Sequence, residues 1–151
     1  MKPNEQNDDI IDSPLGWVND HVREYVESDG RKGHQWRGLP TLLLTTRGRI
    51  TGLRRRTALI YGQDSEDYII VASNGGSADH PLWYLNLVDE PAVELQVGSE
   101  VFAARAREAS GDEKERLWHL MAGIFQTYDK YRVTAAKRGR DIPLIVLERQ
   151  S

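Results

Sequence analysis

The sequence predicts a mainly β protein with helices (α+β), in which an antiparallel sheet curls into a barrel and helices pack outside it. Three observations carry this. Short apolar, β-forming runs recur along the chain, each bounded by Gly, Pro or Asp. Several are joined by connections short enough for hairpins. Helical periodicity falls before, between and after groups of strands, so the alternating βαβ order of a parallel dinucleotide-binding sheet is missing.

Residues 1–12, "MKPNEQNDDIID", are polar and acidic and read as a flexible tail; residues 13–151 then form one domain. Ser13 and Pro14 have the chemistry of an N-cap and first helical position. Leu15, Val18, Val22, Tyr25 and Val26 follow at helical spacing, and the helix ends near Asp29-Gly30. It either lies on its own domain or meets a membrane or partner, and its polar face is poor in the lysines that favour a membrane. "DGRKGHQWRGLP" is a polar connection whose His34 and Trp36 cover an edge of the core or a ligand. "TLLLTT", "TALIYG" and "DYIIVAS" are three short strands, with "GQDSED" as the loop between the second and third. "HPLWYLNLVDEP" is a short helix with Pro81 at its start and Pro91 beyond its end. "AVELQVG" and "EVFAARAREA" form a hairpin around Gly98-Ser99. A helix opens at Ser110-Gly111-Asp112 and runs to about Phe125, "QTYDKYRVTAAKRG" continues as a helix or helical turn, and "IPLIVLER" is the last strand.

Composition narrows the function classes. A net charge of -3 argues against general nucleic-acid affinity, so an anion would be a local ligand. With no cysteine there are no disulfides, thiolate metal sites or thiol nucleophiles, which fits a cytoplasmic protein. The histidines are scattered without metal-ligand spacing. The chain shows neither a signal peptide nor an apolar run of roughly 18 residues.

Against this background five arginines crowd residues 47–56 in "RGRITGLRRR". Gly48 and Gly52 permit positive φ, Thr51 adds a hydroxyl, and Arg49, Arg55 and Arg56 offer paired N–H groups to phosphate or carboxylate oxygens. The stretch is either an anion site or a solvated basic loop. "VASNGGSADHPLWYLNL" runs from a strand end through a flexible Asn74-Gly75-Gly76 into a helix. Trp83 and Leu82 can flank a flat ring and Ser73 or Asn74 can bond its edge; alternatively Trp83 and Leu87 are core. Phe125, Tyr128 and Tyr131 recur every three positions and so share one side of a helix, as core or as the wall of a mixed pocket. No nucleophile triad or carboxylate pair is recognisable, so a bound cofactor would supply the chemistry.

Together these stretches resemble the deazaflavin-dependent nitroreductase family, class A of the flavin/deazaflavin oxidoreductases that use coenzyme F420. The resemblance spans about Gly38 to Glu148 and rests on "TTRGRITGLRRRTALIY", "VASNGGSADHPLWYLNLVDEPAVELQV", "AARARE" and "PLIVLE" in that order. It implies a split β-barrel like that of FMN-binding proteins, with reduced F420 as hydride donor and FMN as the second choice. It places Arg49, Thr51 and Gly52, with Ile50 between them, on the turn that binds the cofactor's anionic tail, Arg55 on the arginine of the next strand, and Arg56, Thr57, Ala58, Leu59 and Ile60 along the cofactor. Val71, Ala72, Ser73 and Asn74 fall on the ring edge, and Leu82, Trp83, Tyr84, Leu85 and Asn86 on the helix beside it. Tyr128 and Ser73 fall on catalytic positions, and Ile60, Phe125, Tyr128 and Tyr131 on the substrate pocket. The implied partner is a small electron-poor acceptor: a quinone, an enone or a nitroaromatic.

Ile50 stands where a lysine is common, and Arg54 and Ala58 where prolines are common; Arg54 and Arg56 are the candidates to replace the missing charge. Phe125 and Ile60 stand where nitroimidazole-activating members have tyrosines. These losses keep open a second reading, a non-catalytic barrel that holds F420, FMN, haem or a fatty acid. Neither the oligomeric state nor peripheral membrane contact by the first helix follows from the sequence.

Overall fold

The computed structural model describes residues 10–12, 16–36 and 38–150. In chain order the elements are β1 (Ile10–Asp12), α1 (Gly16–Glu27), β2 (Gln35–Trp36), β3 (Leu39–Arg47), β4 (Arg54–Ile60), β5 (Gly62–Asp64), β6 (Asp67–Val71), a 3-10 turn (Asn74–Gly76), α2 (Leu82–Asp89), β7 (Ala92–Val97), β8 (Glu100–Glu108), α3 (Gly111–Ile124), α4 (Thr127–Lys137) and β9 (Leu144–Arg149). The strands form one sheet in the order β1-β4-β3-β7-β8-β9-β6-β5, with β2 added beside β3. Every pairing is antiparallel except β1 with β4. The sheet curls until β4 and β6 approach each other, yet those two strands share no ladder. The curled antiparallel barrel with outer helices is therefore as predicted, and it is split along one seam.

Why each strand forms can be read from its burial. Thr41 to Thr46 in β3 are buried on both faces, which suits an unbroken apolar run covered by helices outside. In β8, Phe102, Ala104 and Ala106 alternate with exposed residues, so only one face meets the core. The barrel interior is filled by Leu42, Leu44, Tyr68, Ile70, Leu95 and Ile145. A second core lies between β6 and β9 and the helices α3 and α4, around Leu117, Met121 and Ile142. In α1, Val22 and Tyr25 are fully buried and pack on Leu43 and Ala58 of the sheet. The described apolar residues of this helix thus face its own domain. The Tyr25 hydroxyl accepts the Gly98 N–H at 2.7 Å and donates to the Gln96 carbonyl at 3.2 Å, tying α1 to the β7–β8 hairpin.

Several elements differ from the sequence expectation. Ile10–Asp12, assigned above to the loose tail, pair in parallel with Arg54–Arg56. The proposed helix start at Ser13-Pro14 lies outside the described residues. Gly62–Asp64, read as loop, pair with β6 around a turn in which Ser65 takes φ 57°. Both added strands are three residues long, too short for a periodic signal, and a neighbouring edge recruits them through backbone groups. His34 lies between Tyr25 and Tyr61, 3.1 Å and 3.5 Å from their hydroxyls, and so covers core.

Candidate functional site

The seam between β4 and β6 opens into a cleft of about 940 Å³. Its floor is β4, which is protected by β1 only at Arg54–Arg56. From Thr57 to Ile60 the outer edge of β4 has no strand partner among the described residues, so its backbone groups face the seam. The cleft runs from the arginine turn at one end to the Phe125–Tyr131 aromatics at the other.

The turn is built by local bonds. Gly48 N–H donates to the Leu53 carbonyl at 2.7 Å, and Gly52 N–H to the Gly48 carbonyl at 2.8 Å. Only Gly52 takes positive φ, at 73°. Gly48 is needed for room instead, since a Cβ there would lie 2.9 Å from Thr51 Oγ1. The Leu53 N–H bonds Thr51 Oγ1 at 3.2 Å, which leaves the hydroxyl proton free to donate. Asn86 anchors the turn from α2. Its carbonyl oxygen accepts the Arg49 N–H at 3.1 Å, and its amide donates to Thr46 Oγ1 at 3.3 Å. Asn86 is buried, so this cross-link holds the turn against the barrel.

The arginines divide between two faces. Arg49, Arg55 and Arg56 line the cleft. Among the described residues the guanidinium groups of Arg49 and Arg55 bond no acceptor. Arg54 instead ion-pairs with Glu94 at 3.2 Å and lies off the cleft, so Arg56 remains the only one of the two candidates placed to replace the charge absent at Ile50. Ile50 itself is 82% exposed at the turn tip.

The other end combines a polar loop with buried rings. Arg140, only 5% exposed, donates to the carbonyls of Ala72 (2.9 Å), Ser77 (2.8 Å) and Ser73. This one side chain holds the loop after β6 in place. Asn74 takes a left-handed φ of 46°, and its amide donates to the Asp79 carbonyl at 2.9 Å. Arg140 also donates to Nδ1 of His80 at 3.2 Å. The His80 ring packs on Tyr84, whose hydroxyl donates to Glu108 at 2.6 Å. Burial and then the Arg140 charge hold the His80 pKa below its ordinary value.

Phe125 does not share a helix with Tyr128 and Tyr131. It caps α3 with extended backbone, φ -139°, and α4 starts two residues later. The rings nevertheless meet: Phe125 lies edge-on to Tyr128 with centroids 5.1 Å apart, and 6.4 Å from Tyr131. All three line the cleft. Burial, then repulsion from Tyr131, pushes the Tyr128 pKa far up, so its phenol stays protonated and acts as a donor. No described group bonds that hydroxyl, and no sealed polar atom lacks a partner, so Tyr128 Oη is open to the cleft.

Of the residues marked by the resemblance, Arg49 to Thr51, Arg55 to Ile60, Val71, Ser73, Asn74, Leu82, Trp83, Asn86, Phe125, Tyr128 and Tyr131 line this cleft. Gly52, Ala72, Tyr84 and Leu85 do not. Sequence reasoning missed His80, His21 and Thr41 as lining residues and Arg140 as the loop's anchor. Nothing around Arg140 in the sequence marks it, because its partners lie 60 or more residues away.

The fold is a curled split barrel with one elongated cleft, cationic at one end and aromatic at the other. The family model for F420H(2)-dependent quinone reductases matches residues 17–149, and the chain belongs to that family. An F420H(2)-dependent quinone reductase of Mycobacterium tuberculosis is 36% identical over 133 residues, 86% of this chain and 88% of the relative. The solved structure of an F420-H2 dependent reductase, FDR-A, is 34% identical with a TM-score of 0.65, covering 72% of this chain and 94% of its own. A second solved structure, a domain-swapped dimer, is 32% identical with a TM-score of 0.69 and covers 90% of this chain and all (100%) of its own.

Proposed function

We propose that this chain is a coenzyme F420-dependent reductase whose acceptor is a quinone, with activated enones and nitroaromatics as weaker substrates. The observation that carries the reading is the single cleft joining unneutralised Arg49 and Arg55 to a wall of Trp83, Phe125 and Tyr128. A cofactor with a flat ring and a long anionic tail matches both ends at once; a fatty acid offers the arginines one carboxylate and no ring, and a haem offers two short propionates and no long tail. The M. tuberculosis relative's name points to the same cofactor and acceptor.

In this reading Arg49, Thr51 and Arg55 hold the tail, with the turn kept in register by Asn86. The open edge of β4 and the Ser73–Asn74 loop bond the polar edge of the ring, and Trp83 covers it. Bound F420 in its reduced form supplies the hydride. Ile60, Phe125, Tyr128 and Tyr131 shape the space for the acceptor and exclude water. Tyr128, protonated and open to the cleft, donates to the acceptor oxygen as negative charge develops there. Phe125 and Ile60 remove two phenols and leave an apolar pocket suited to an unsubstituted quinone ring.

Among the described residues no helix is long and apolar enough to cross a membrane. Val22 and Tyr25 of α1 are buried against its own sheet, so those two side chains are not available to a membrane.

Oxidation of reduced F420 should be followed against a panel of benzoquinones, naphthoquinones, enones and nitroaromatics, with reduced FMN and NADPH as rival donors. Turnover should require reduced F420 and be fastest with quinones. Equal rates with FMN, or no acceptor-dependent oxidation at all, would overturn the proposal.

A further inference from the structure

We propose that His80 is a neutral electrophile in this cleft, donating an Nε2–H hydrogen bond to the acceptor's carbonyl oxygen, and that buried Arg140 is the positioning residue that fixes this tautomer. The inference rests on the reductase reading above but concerns only this chain's own residues.

The geometry starts from Arg140. A guanidinium has donors and no acceptor. Its NH1 lies 3.2 Å from His80 Nδ1, so Nδ1 must present a lone pair. A neutral imidazole then carries its proton on Nε2. His80 lines the cleft, and among the described residues Nε2 has no hydrogen-bond partner. The ring is held on its face by Tyr84, with centroids 4.6 Å apart, and Tyr84 is held in turn by Glu108. Arg140 is fixed by the three loop carbonyls it bonds. The donor is therefore pre-positioned beside Ser73.

The charge state agrees. The groups around the ring are Arg140, Asp79, Glu108 and the Tyr84 phenol. Burial and Arg140 lower the His80 pKa more than Glu108 and Asp79 raise it. Protonation at Nδ1 would also set two donors against each other. Both effects favour the neutral imidazole over the charged form. A neutral imidazole is too weak an acid to give up its Nε2 proton, but it can polarise a carbonyl, a known use of an uncharged histidine. As hydride reaches the quinone, the electron pair moves onto the carbonyl oxygen. His80 stabilises that oxyanion, and a solvent proton completes the hydroquinone. The reduced cofactor is the two-electron donor and the quinone the two-electron acceptor, so the step balances.

Two readouts test this. In the cofactor-free protein, long-range 1H–15N spectra of the histidine rings should show His80 as the Nε2–H tautomer, titrating below the ordinary value. In Arg140→Met the tautomers should mix and the midpoint should rise; if that variant does not fold, the wild-type spectrum still decides. In the enzyme, His80→Phe keeps the ring on Tyr84 and removes the donor. Its kcat with a quinone should fall roughly 100-fold, the scale of a lost oxyanion donor, while its Kd for F420 changes less than threefold. His80→Gln should recover part of the rate. An Nδ1–H tautomer in the wild type, or a His80→Phe kcat within twofold, overturns the inference. Parallel loss of F420 binding and rate in His80→Phe also overturns it, because His80 would then act on the cofactor. Failure of the wild type to use reduced F420 would instead sink the reductase reading, and the spectra would be unaffected.

Discussion

The two ends of the cleft are built on opposite principles. The arginine end is a short turn closed by its own backbone, with Arg49 exposed, Arg55 and Arg56 half-buried, and one buried side chain, Asn86, tying it down. The Ser73–Tyr128 end also has short-range bonds, from Gly76 N–H to the Ser73 carbonyl and from the Asn74 amide to the Asp79 carbonyl, but its main anchor comes from far along the chain. Its loop is held by Arg140 from just before β9, and its rings come from either side of the α3–α4 break. In the proposed function the first end recognises charge and tolerates movement. The second must place donors within a few tenths of an ångström, which requires buried, fully bonded supports.

That contrast makes ordered predictions. The largest effect should come from removing both cleft cations. Arg49→Ala with Arg55→Ala loses charge-assisted bonds worth about 1.5–3 kcal/mol each, so F420 affinity should fall at least about 100-fold by fluorescence titration. The thermal midpoint should barely move, since neither guanidinium has a described protein partner. Next, Tyr128→Ala should destabilise the fold by about 3–5 kcal/mol in urea unfolding, as loss of a buried ring does. Tyr128→Phe should keep that stability and lower kcat instead. Asn86→Leu leaves the Arg49 N–H and Thr46 hydroxyl without their partner, which costs about 1–3 kcal/mol of stability. It should weaken F420 less than the double arginine change. The smallest effect belongs to Ile50→Lys: an exposed cation at the turn tip should tighten F420 by a few-fold at low salt and by little at high salt. If Asn86→Leu proves worse for binding than the arginine pair, the position of the turn matters more than its charge, and the arginine end does not tolerate movement.

The same contrast explains what could be read from the sequence. The arginine turn lies within about ten residues, so glycines, threonine and charge reveal it together. The longer strands and the helices were equally visible, because period and punctuation are local signals. The short strands β1 and β5 were not, since backbone pairing with a distant edge leaves no mark on three residues. The Phe125–Tyr128–Tyr131 spacing was legible, but its geometry was not: the break at Phe125 replaces one helix face with two elements that converge. Arg54 shows the limit in charge as well. It sits among the other arginines in sequence, yet Glu94 on β7 draws it to another face. Arg140 and His80 became visible only through carbonyls and rings brought together by the fold.

The central claim is that one cleft takes the anionic tail and the ring of F420 together. Fluorescence titration with oxidised and reduced F420, and with FMN, tests it most directly when run at low and high salt on the wild type and the Arg49→Ala, Arg55→Ala variant. The account predicts saturable F420 binding that weakens with salt and collapses in the variant, with FMN bound far less tightly. Tight FMN binding without F420 binding, or F420 binding indifferent to the arginines, would contradict it.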